Sequence, residues 1–281
     1  AMIGGTVAAT VFRKKVHVGY VAAIVAASNA GGSGSVIGDT TTTMMWIDGV
    51  RPGHVFHAYA GAVVALLIVA SIASAQQTRF APILADPIDS PPIDWKRLAI
   101  VAFVMATAVG TNFVINTQLT EISDAFPFLG VAVCLAILLL APLRRPNWSA
   151  LPATLKGSLF LLSLVLAASL MPVSALPAPS WQSTMALGFV SAVFDNIPLT
   201  KLALTQGGYD WGALAYSVGF GGSMVWFGSS AGVAISTLYP EAKSVGNWLR
   251  GGWHVTLAFV LGFAALQLSM GWHPPAPHKA P

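Results

Sequence analysis

Long apolar runs dominate this 281-residue sequence and restrict its possible folds more than any other feature. An α-helix needs about 20 consecutive apolar residues to cross the roughly 30 Å hydrocarbon core of a bilayer. Runs of about that length occupy residues 55–75, 98–117, 125–143, 157–174 and 251–271. Only 9% of the residues are charged, against about 25% in a soluble domain. The sequence therefore predicts an all-α polytopic membrane protein.

The net charge of +4 does not indicate a nucleic-acid-binding protein. The lysines and arginines lie in short loops beside the apolar runs, where positive charge sets the orientation of membrane helices. The single cysteine, Cys134, lies inside an apolar run. The sequence therefore contains neither a disulfide framework nor a cysteine-based metal site.

Two interrupted apolar segments share the pattern G-G-S-x-x-x-x-G. The sequence GGSGSVIGD covers residues 31–39 and GGSMVWFGS covers residues 221–229, an offset of 190 residues. Each is flanked by apolar arms too short to cross a membrane alone. Glycine-interrupted short segments at corresponding places in two halves are typical of the discontinuous helices of secondary transporters. We therefore predict broken helices over residues 16–47 and 211–238.

A third interrupted segment has the sequence GFVSAVFDNIPLTKLAL, residues 188–204. Asp195, Asn196 and Pro198 separate its two apolar arms, and proline cannot complete the hydrogen-bond ladder of a helix. We expect a re-entrant hairpin over residues 181–206 that enters and leaves the membrane on one side.

The distribution of positive charge predicts the direction of the broken helices. With residues 13–15 on the cytoplasmic side, 11 of the 14 lysines and arginines fall on that side, as the positive-inside rule requires. The first broken helix then runs outward and the second runs inward, so the two halves are inverted repeats. The expected organisation is the end of a first repeat at 1–75, with a span at 55–75, a cytoplasmic linker at 76–97, a second repeat at 98–271 and a tail at 272–281.

Two of the ten acidic residues, Asp39 and Asp195, lie at predicted membrane depth. A carboxylate inside a membrane costs a few kcal/mol at least, and such residues usually mark ion or proton pathways. Each one also precedes a short apolar arm, so each is suited to cap a helix N-terminus. Capping and ion binding are compatible, because unwound carbonyls and helix ends coordinate cations at such breaks.

Neutral oxygen atoms of the kind that hard cations take as ligands accompany both carboxylates. They belong to Asn29, Ser33, Ser35, Thr40, Thr41 and Thr42 in the first half, and to Asn196, Ser223, Ser229 and Ser230 in the second. The sequence leaves two roles open for each hydroxyl: it ligates a cation, or it donates a hydrogen bond to the carbonyl one turn earlier. Three roles are left open for Lys201. It replaces a bound cation as a counter-charge, it forms a structural pair, or its side chain extends to the membrane interface.

A rival class is an intramembrane serine hydrolase. Residues 228–232 match the G-x-S-x-G pattern, which would make Ser230 the nucleophile, and His254 is the nearest histidine in sequence. That motif requires a strand-turn-helix context, which the surrounding apolar arms do not predict.

Three motifs give the chain a resemblance to a known family. NAGGSGSVIGDTTTTMMW (29–46) resembles the signature of NhaD-type sodium/proton antiporters, in the ion transporter superfamily that also contains citrate, dicarboxylate and arsenite carriers. SAVFDNIPLT (191–200) resembles the D-N-x-P motif of that group, and GGSMVWFGSSAGVA (221–234) resembles its GGS...GS-AGV segment. The motifs stand in family order and the match covers most of the chain.

The resemblance implies an inverted-repeat ion transporter fold with re-entrant hairpins and discontinuous helices, and an ion site where they converge. Asp39, Asp195 and Asn196 carry over as the ion and proton site, with Asn29 and Thr40–Thr42 nearby. The chain departs from the family at Gly34 and Val36, where an aromatic residue and a proline are common, and at Lys201, where the family is usually neutral. Members also have a D-N-x-T-T hairpin ahead of the position of Arg13, so we expect residues 1–12 to be only its returning arm and the fold to lack its N-terminal part.

The sequence and the resemblance together predict a transporter rather than an enzyme. We expect Na⁺ (or Li⁺) and H⁺ to compete at Asp39 and Asp195, with exchange across the cell inner membrane by alternating access and with no cofactor. The alternative within this class is an ion-coupled carrier of citrate, a dicarboxylate or arsenite, with Lys201 facing the anion. The expected partners are the lipid bilayer, small cations and protons, and not nucleic acid; a homodimer is left open.

Overall fold

A computed structural model describes residues 1–83, 94–119, 122, 126–170 and 177–275. Within these ranges the chain forms helices joined by turns and contains no β-strand. Three helical stretches among them are long and apolar enough to cross a membrane, namely Pro52–Phe80, Trp95–Ile115 and Trp253–Met270. The prediction of an all-helical, multi-pass membrane protein is therefore confirmed.

The α-helices of the described residues are α1 (Met2–Val11), α2 (Val18–Ser33), α3 (Thr40–Ile47), α4 (Pro52–Phe56), α5 (Ala58–Phe80), α6 (Trp95–Gln118), α7 (Phe128–Leu140), α8 (Leu151–Ser169), α9 (Trp181–Ser191), α10 (Asn196–Gln206), α11 (Trp211–Gly221), α12 (Ser230–Ile235), α13 (Val245–Gly251) and α14 (Trp253–Met270). The chain divides into two compact units. The first contains Ala1–Ala85 and Leu161–Pro281, and the second contains Asp86–Phe160.

The first unit is built on close helix contacts. Helix α5 packs against α2 and α14, and α11 packs against α2, α9 and α14. A Cβ atom at Gly61 would lie only 2.6 Å from the carbonyl oxygen of Gly262, so glycine permits α5 and α14 to approach closely. Tyr216 of α11 stacks on Phe259 with ring centroids 5.8 Å apart, and its hydroxyl donates to the carbonyl of that residue at 3.0 Å.

The second unit contains α6 and α7, which pack against each other, and the first part of α8. Helix α7 has 13 residues, so it is shorter than the run predicted at 125–143. Its apolar side chains are largely exposed, with Leu139 at 74% and Leu135 at 54%. In a membrane protein such surfaces contact lipid.

The helix bounds differ from the expected ones at the linker between the halves. Helix α5 continues through polar residues to Phe80, and α6 begins at Trp95, whereas the predicted linker covers 76–97. The cause is Gln77, which is 1% exposed. Its amide donates to the Lys15 carbonyl at 3.0 Å and accepts from the His17 backbone at 2.7 Å, so the last turns of α5 are held against the start of α2.

Candidate functional site

The two G-G-S segments form two helix breaks with matching local contacts. The first lies between α2 and α3, and the second between α11 and α12. A Cβ atom at Gly32 would lie 2.7 Å from the carbonyl oxygen of Gly38, and one at Gly222 would lie 2.5 Å from that of Gly228. Both glycine pairs are related by the offset of 190 residues. Each break is therefore folded back on a glycine that leaves no room for a side chain.

Asp39 ends the first break and caps α3. Its Oδ1 accepts a hydrogen bond from the Thr40 backbone at 2.8 Å. Its Oδ2 is buried and has no hydrogen-bond partner among the described residues. This oxygen faces α11, because a Cβ atom at Gly219 would lie 3.4 Å from it. Oδ1 therefore holds the helix end, and the carboxylate also interacts with the Thr41 hydroxyl, at a geometry short of a full hydrogen bond.

Ser229 takes the equivalent place in the second break. It lies 190 residues after Asp39, and its Oγ accepts from the Gly232 backbone at 3.3 Å to cap α12. The two breaks therefore have the same capping geometry, but only the first carries a titratable group.

Asn29 joins helix α2 to the second break. It lies in α2, is 6% exposed, and its Nδ2 donates to Ser223 Oγ at 2.9 Å and to Ser229 Oγ at 3.1 Å. Three of the polar residues predicted for the site, from both halves of the chain, therefore form one buried cluster.

The hairpin between α9 and α10 brings the second carboxylate to the same region. Asp195 caps α10 by accepting from the Ile197 backbone at 2.9 Å, and the following Asn196 is buried at 6% exposure. Helix α10 packs against α3, the helix that Asp39 caps. Asp195 lies near enough to Asp39 for the two negative charges to repel each other.

The hydroxyls of the first break divide into bonded and unbonded groups. Ser33 donates to the Ala30 carbonyl at 2.8 Å, and Thr42 donates to the Asp39 carbonyl at 3.0 Å, so both form the bond to a carbonyl one turn earlier. Thr41 is fully buried and its Oγ1 has no hydrogen bond of acceptable geometry. Thr40 is exposed and contributes its backbone N–H to Asp39.

Asp39 and Asn29 line an open cleft of about 810 Å³. Its walls come from α1, from the first break and from α12. Ala1, Met2 and Ile3, the first residues of the sequence, form part of its lining.

Two buried hydroxyl oxygens that the sequence did not single out lie in helices α9 and α11. Thr184 of α9 and Ser217 of α11 are fully buried, and neither side-chain oxygen has a hydrogen-bond partner among the described residues. Their helices pack together. No local signal separates them from Thr200, whose hydroxyl bonds to the Asn196 carbonyl at 2.8 Å in the ordinary helical way.

The remaining candidates have no catalytic arrangement. Ser230 follows a turn that continues from helix α11, so the strand-turn-helix context of a hydrolase is missing there. His254 is fully buried, and neither ring nitrogen bonds to a side chain of the described residues. Lys201 forms no salt bridge with Asp195 in the part of the chain that the structure describes.

Comparisons with known proteins identify two relatives in Arabidopsis thaliana. Sodium/proton antiporter 2 is 27% identical over 253 aligned residues, which cover 77% of this chain and 59% of that protein. Sodium/proton antiporter 1 is 27% identical over 254 residues, covering 75% of this chain and 42% of that protein. The chain thus spans about half the length of the relatives it matches. No protein-family profile and no solved structure matches it.

Proposed function

We propose that this chain forms the cation-binding part of a secondary transporter that exchanges Na⁺ (or Li⁺) for H⁺ by alternating access across the inner membrane. The similarity to two proteins named as sodium/proton antiporters supports the exchange of these ions. The finer assignment, to the NhaD type within the ion transporter superfamily, rests on the three motifs described above.

The observation that carries the proposal is the divided role of Asp39. One carboxylate oxygen holds the N-terminus of α3, and the other is buried without a partner. An unpaired anionic oxygen in a membrane is costly unless a proton or cation occupies it. Sodium is a hard cation and takes oxygen ligands, and Thr41 adds a second unpartnered oxygen at the same break.

Competition for one site is sufficient for exchange. When a proton occupies Asp39, the carboxyl is neutral and attracts a cation weakly; when a cation binds, the proton is released. The neighbouring charge of Asp195 favours occupation, because one positive charge near both carboxylates relieves their repulsion. The exchange needs no cofactor and no covalent step, so the protein acts as a transporter and not as an enzyme.

In this proposal, the two helix breaks lie where the protein changes conformation during transport. In the inverted-repeat arrangement, broken helices from opposite halves meet near the midplane and the surrounding bundle rocks about them. The Asn29 bridge to Ser223 and Ser229 joins α2 to the second break in this conformation.

The test is ion exchange in everted membrane vesicles that contain the full-length protein, followed with a fluorescent pH probe. We expect added Na⁺ to release protons from the wild type, and Asp39→Asn and Asp195→Asn to abolish that response at unchanged protein level. Glu241→Gln is the matched control, because Glu241 is an exposed carboxylate outside the site.

Other outcomes identify the rival functions. A wild-type response to citrate, a dicarboxylate or arsenite, without a response to Na⁺, would replace the antiporter by the anion carrier. Hydrolysis lost in Ser230→Ala, with no ion dependence, would establish the hydrolase.

A further inference from the structure

A groove in the second unit has polar and apolar ends that match an amphiphilic ligand. It lies between α6 and α7 and has a volume of about 320 Å³. Its apolar walls consist of Ile100, Val101, Val104, Met105, Ile137 and Leu140. Arg97, Arg144 and Arg145 line one end.

The order of residues along both helices produces this separation. Along α6, Arg97 is followed at helical spacing by Val101 and Met105, so the arginine and the apolar residues share one face. Along α7 the order is reversed, with Ile137 followed by Leu140 and then by Arg144 in the turn after the helix. The apolar part extends about 12 Å from Arg97 to Met105, at the α-helical rise of about 1.5 Å per residue.

A carboxylate among the described residues neutralises one of the three arginines at the polar end. Arg144 forms a salt bridge with Asp94 at 2.7 Å, which fixes one guanidinium at the mouth of the groove. Neither Arg97 nor Arg145 has an ion-pair partner among the described residues. Within the described part of the unit, two positive charges therefore remain beside an apolar groove.

We propose that this groove binds an anionic glycerophospholipid, whose phosphate lies between Arg97 and Arg145 and one of whose acyl chains lies along α6 and α7. A basic pocket at the end of membrane helices is a recognised site for anionic headgroups. Guanidinium groups pair with phosphate through two parallel hydrogen bonds. The apolar walls favour a lipid over a free phosphate ion, because only a lipid has acyl chains that contact them.

The site is independent of ion exchange, since all its residues lie in Asp86–Phe160 and both carboxylates of the proposed ion site lie in the other unit. It also differs from the general attraction of basic loops to a membrane. Arg79 and Arg250 line a second cleft, together with His17, Gln76 and Asn247, and that cleft lacks a comparable apolar wall.

The test is native mass spectrometry of the detergent-purified full chain, titrated with phosphatidylglycerol or with phosphatidylcholine of the same acyl chains. We expect phosphatidylglycerol to bind more tightly. Arg97→Gln combined with Arg145→Gln should weaken it about thirtyfold, the factor expected for two surface arginine contacts. Arg79→Gln combined with Arg250→Gln removes the same charge elsewhere and should leave binding unchanged.

One further variant tests whether the bound phosphate belongs to a lipid or is a free ion, and another tests the role of the guanidinium groups. Val101 is 53% exposed, so Val101→Trp fills the groove without disturbing a packed core and should weaken lipid binding as well. Arg97→Lys with Arg145→Lys keeps the charge but loses the paired hydrogen bonds, so its binding should lie between that of the wild type and that of the glutamine pair. Circular dichroism of each variant checks that the chain is folded.

Several results would overturn the proposal. Equal binding of the two lipids indicates ordinary annular lipid, and equal weakening by both glutamine pairs indicates general surface charge. Displacement of phosphatidylglycerol by inorganic phosphate, with no effect of Val101→Trp, indicates a site for oxyanions alone. A dimer that Val101→Trp dissociates, with no lipid adduct, makes the groove an interface between two copies of the chain.

Discussion

At the scale of single residues, Asn29 shows how one side chain joins segments that are far apart in sequence. Its amide donates to hydroxyls 194 and 200 residues away. We expect Asn29→Ala to destabilise the protein by about 1 kcal/mol, because interhelical hydrogen bonds in membranes average about 0.6 kcal/mol each. Thermal unfolding in detergent measures the change, and ion exchange should fall with it.

Asn112→Ala is the matched control. Asn112 is 4% exposed and its Nδ2 has no hydrogen-bond partner among the described residues, so its removal breaks no bridge and should cost less than Asn29→Ala. Equal losses in the two variants would contradict a bridging role for Asn29.

At the scale of elements, the helix breaks depend on glycines at particular places. Gly32→Ala would put a methyl group 2.7 Å from a backbone oxygen of the same break, and backbone moves aside less readily than a flexible side chain. We expect about 1–3 kcal/mol of destabilisation from this overpacking and loss of Na⁺-driven proton release. Thermal unfolding and vesicle exchange measure the two effects.

The adjacent glycine supplies the comparison. A Cβ atom at Gly31 meets nothing within 4 Å, and alanine is favoured over glycine in a helix by up to about 1 kcal/mol. Gly31→Ala should therefore keep or raise stability and keep exchange. If Gly31→Ala and Gly32→Ala behave alike, the close approach at the break is not what the glycines provide.

At the scale of the whole molecule, the topology predicted from positive charge stays a prediction, and the packing of two membrane helices supplies positions at which to test it. Gln76 near the end of α5 donates to the Gly251 carbonyl just before α14 at 3.1 Å, so Arg79 and Arg250 lie at the same end. Pro52–Phe80 is 29 residues long, which puts Arg51 at the opposite end.

Cysteine labelling tests this arrangement in a Cys134→Ser background. With a membrane-impermeant maleimide, Arg79→Cys and Arg250→Cys should react from one side of sealed vesicles, and Arg51→Cys should react from the other. All three positions are exposed, so access by the reagent depends on the side of the membrane. Labelling of Arg51→Cys and Arg79→Cys from the same side would exclude a crossing by Pro52–Phe80.

The sequence by itself determined the class of protein and the positions of the two helix breaks, and it predicted a pair of carboxylates at membrane depth. These features follow from local quantities, namely the length of apolar runs, the absence of a side chain at glycine and the cost of a charge in lipid. Helix α5 continues to Phe80, into the predicted linker, where Gln77 bonds to the distant Lys15–His17 turn.

Only the tertiary structure decided which of the buried polar atoms have hydrogen-bond partners. Ser33 and Thr41 are both buried hydroxyls of one break, yet only Ser33 bonds to a nearby carbonyl. Thr184 and Ser217 lacked any local signal, and the approach of Asp195 to Asp39 depends on α10 packing against α3. Whether an oxygen is satisfied depends on atoms brought together from distant segments, and local sequence patterns do not record those contacts.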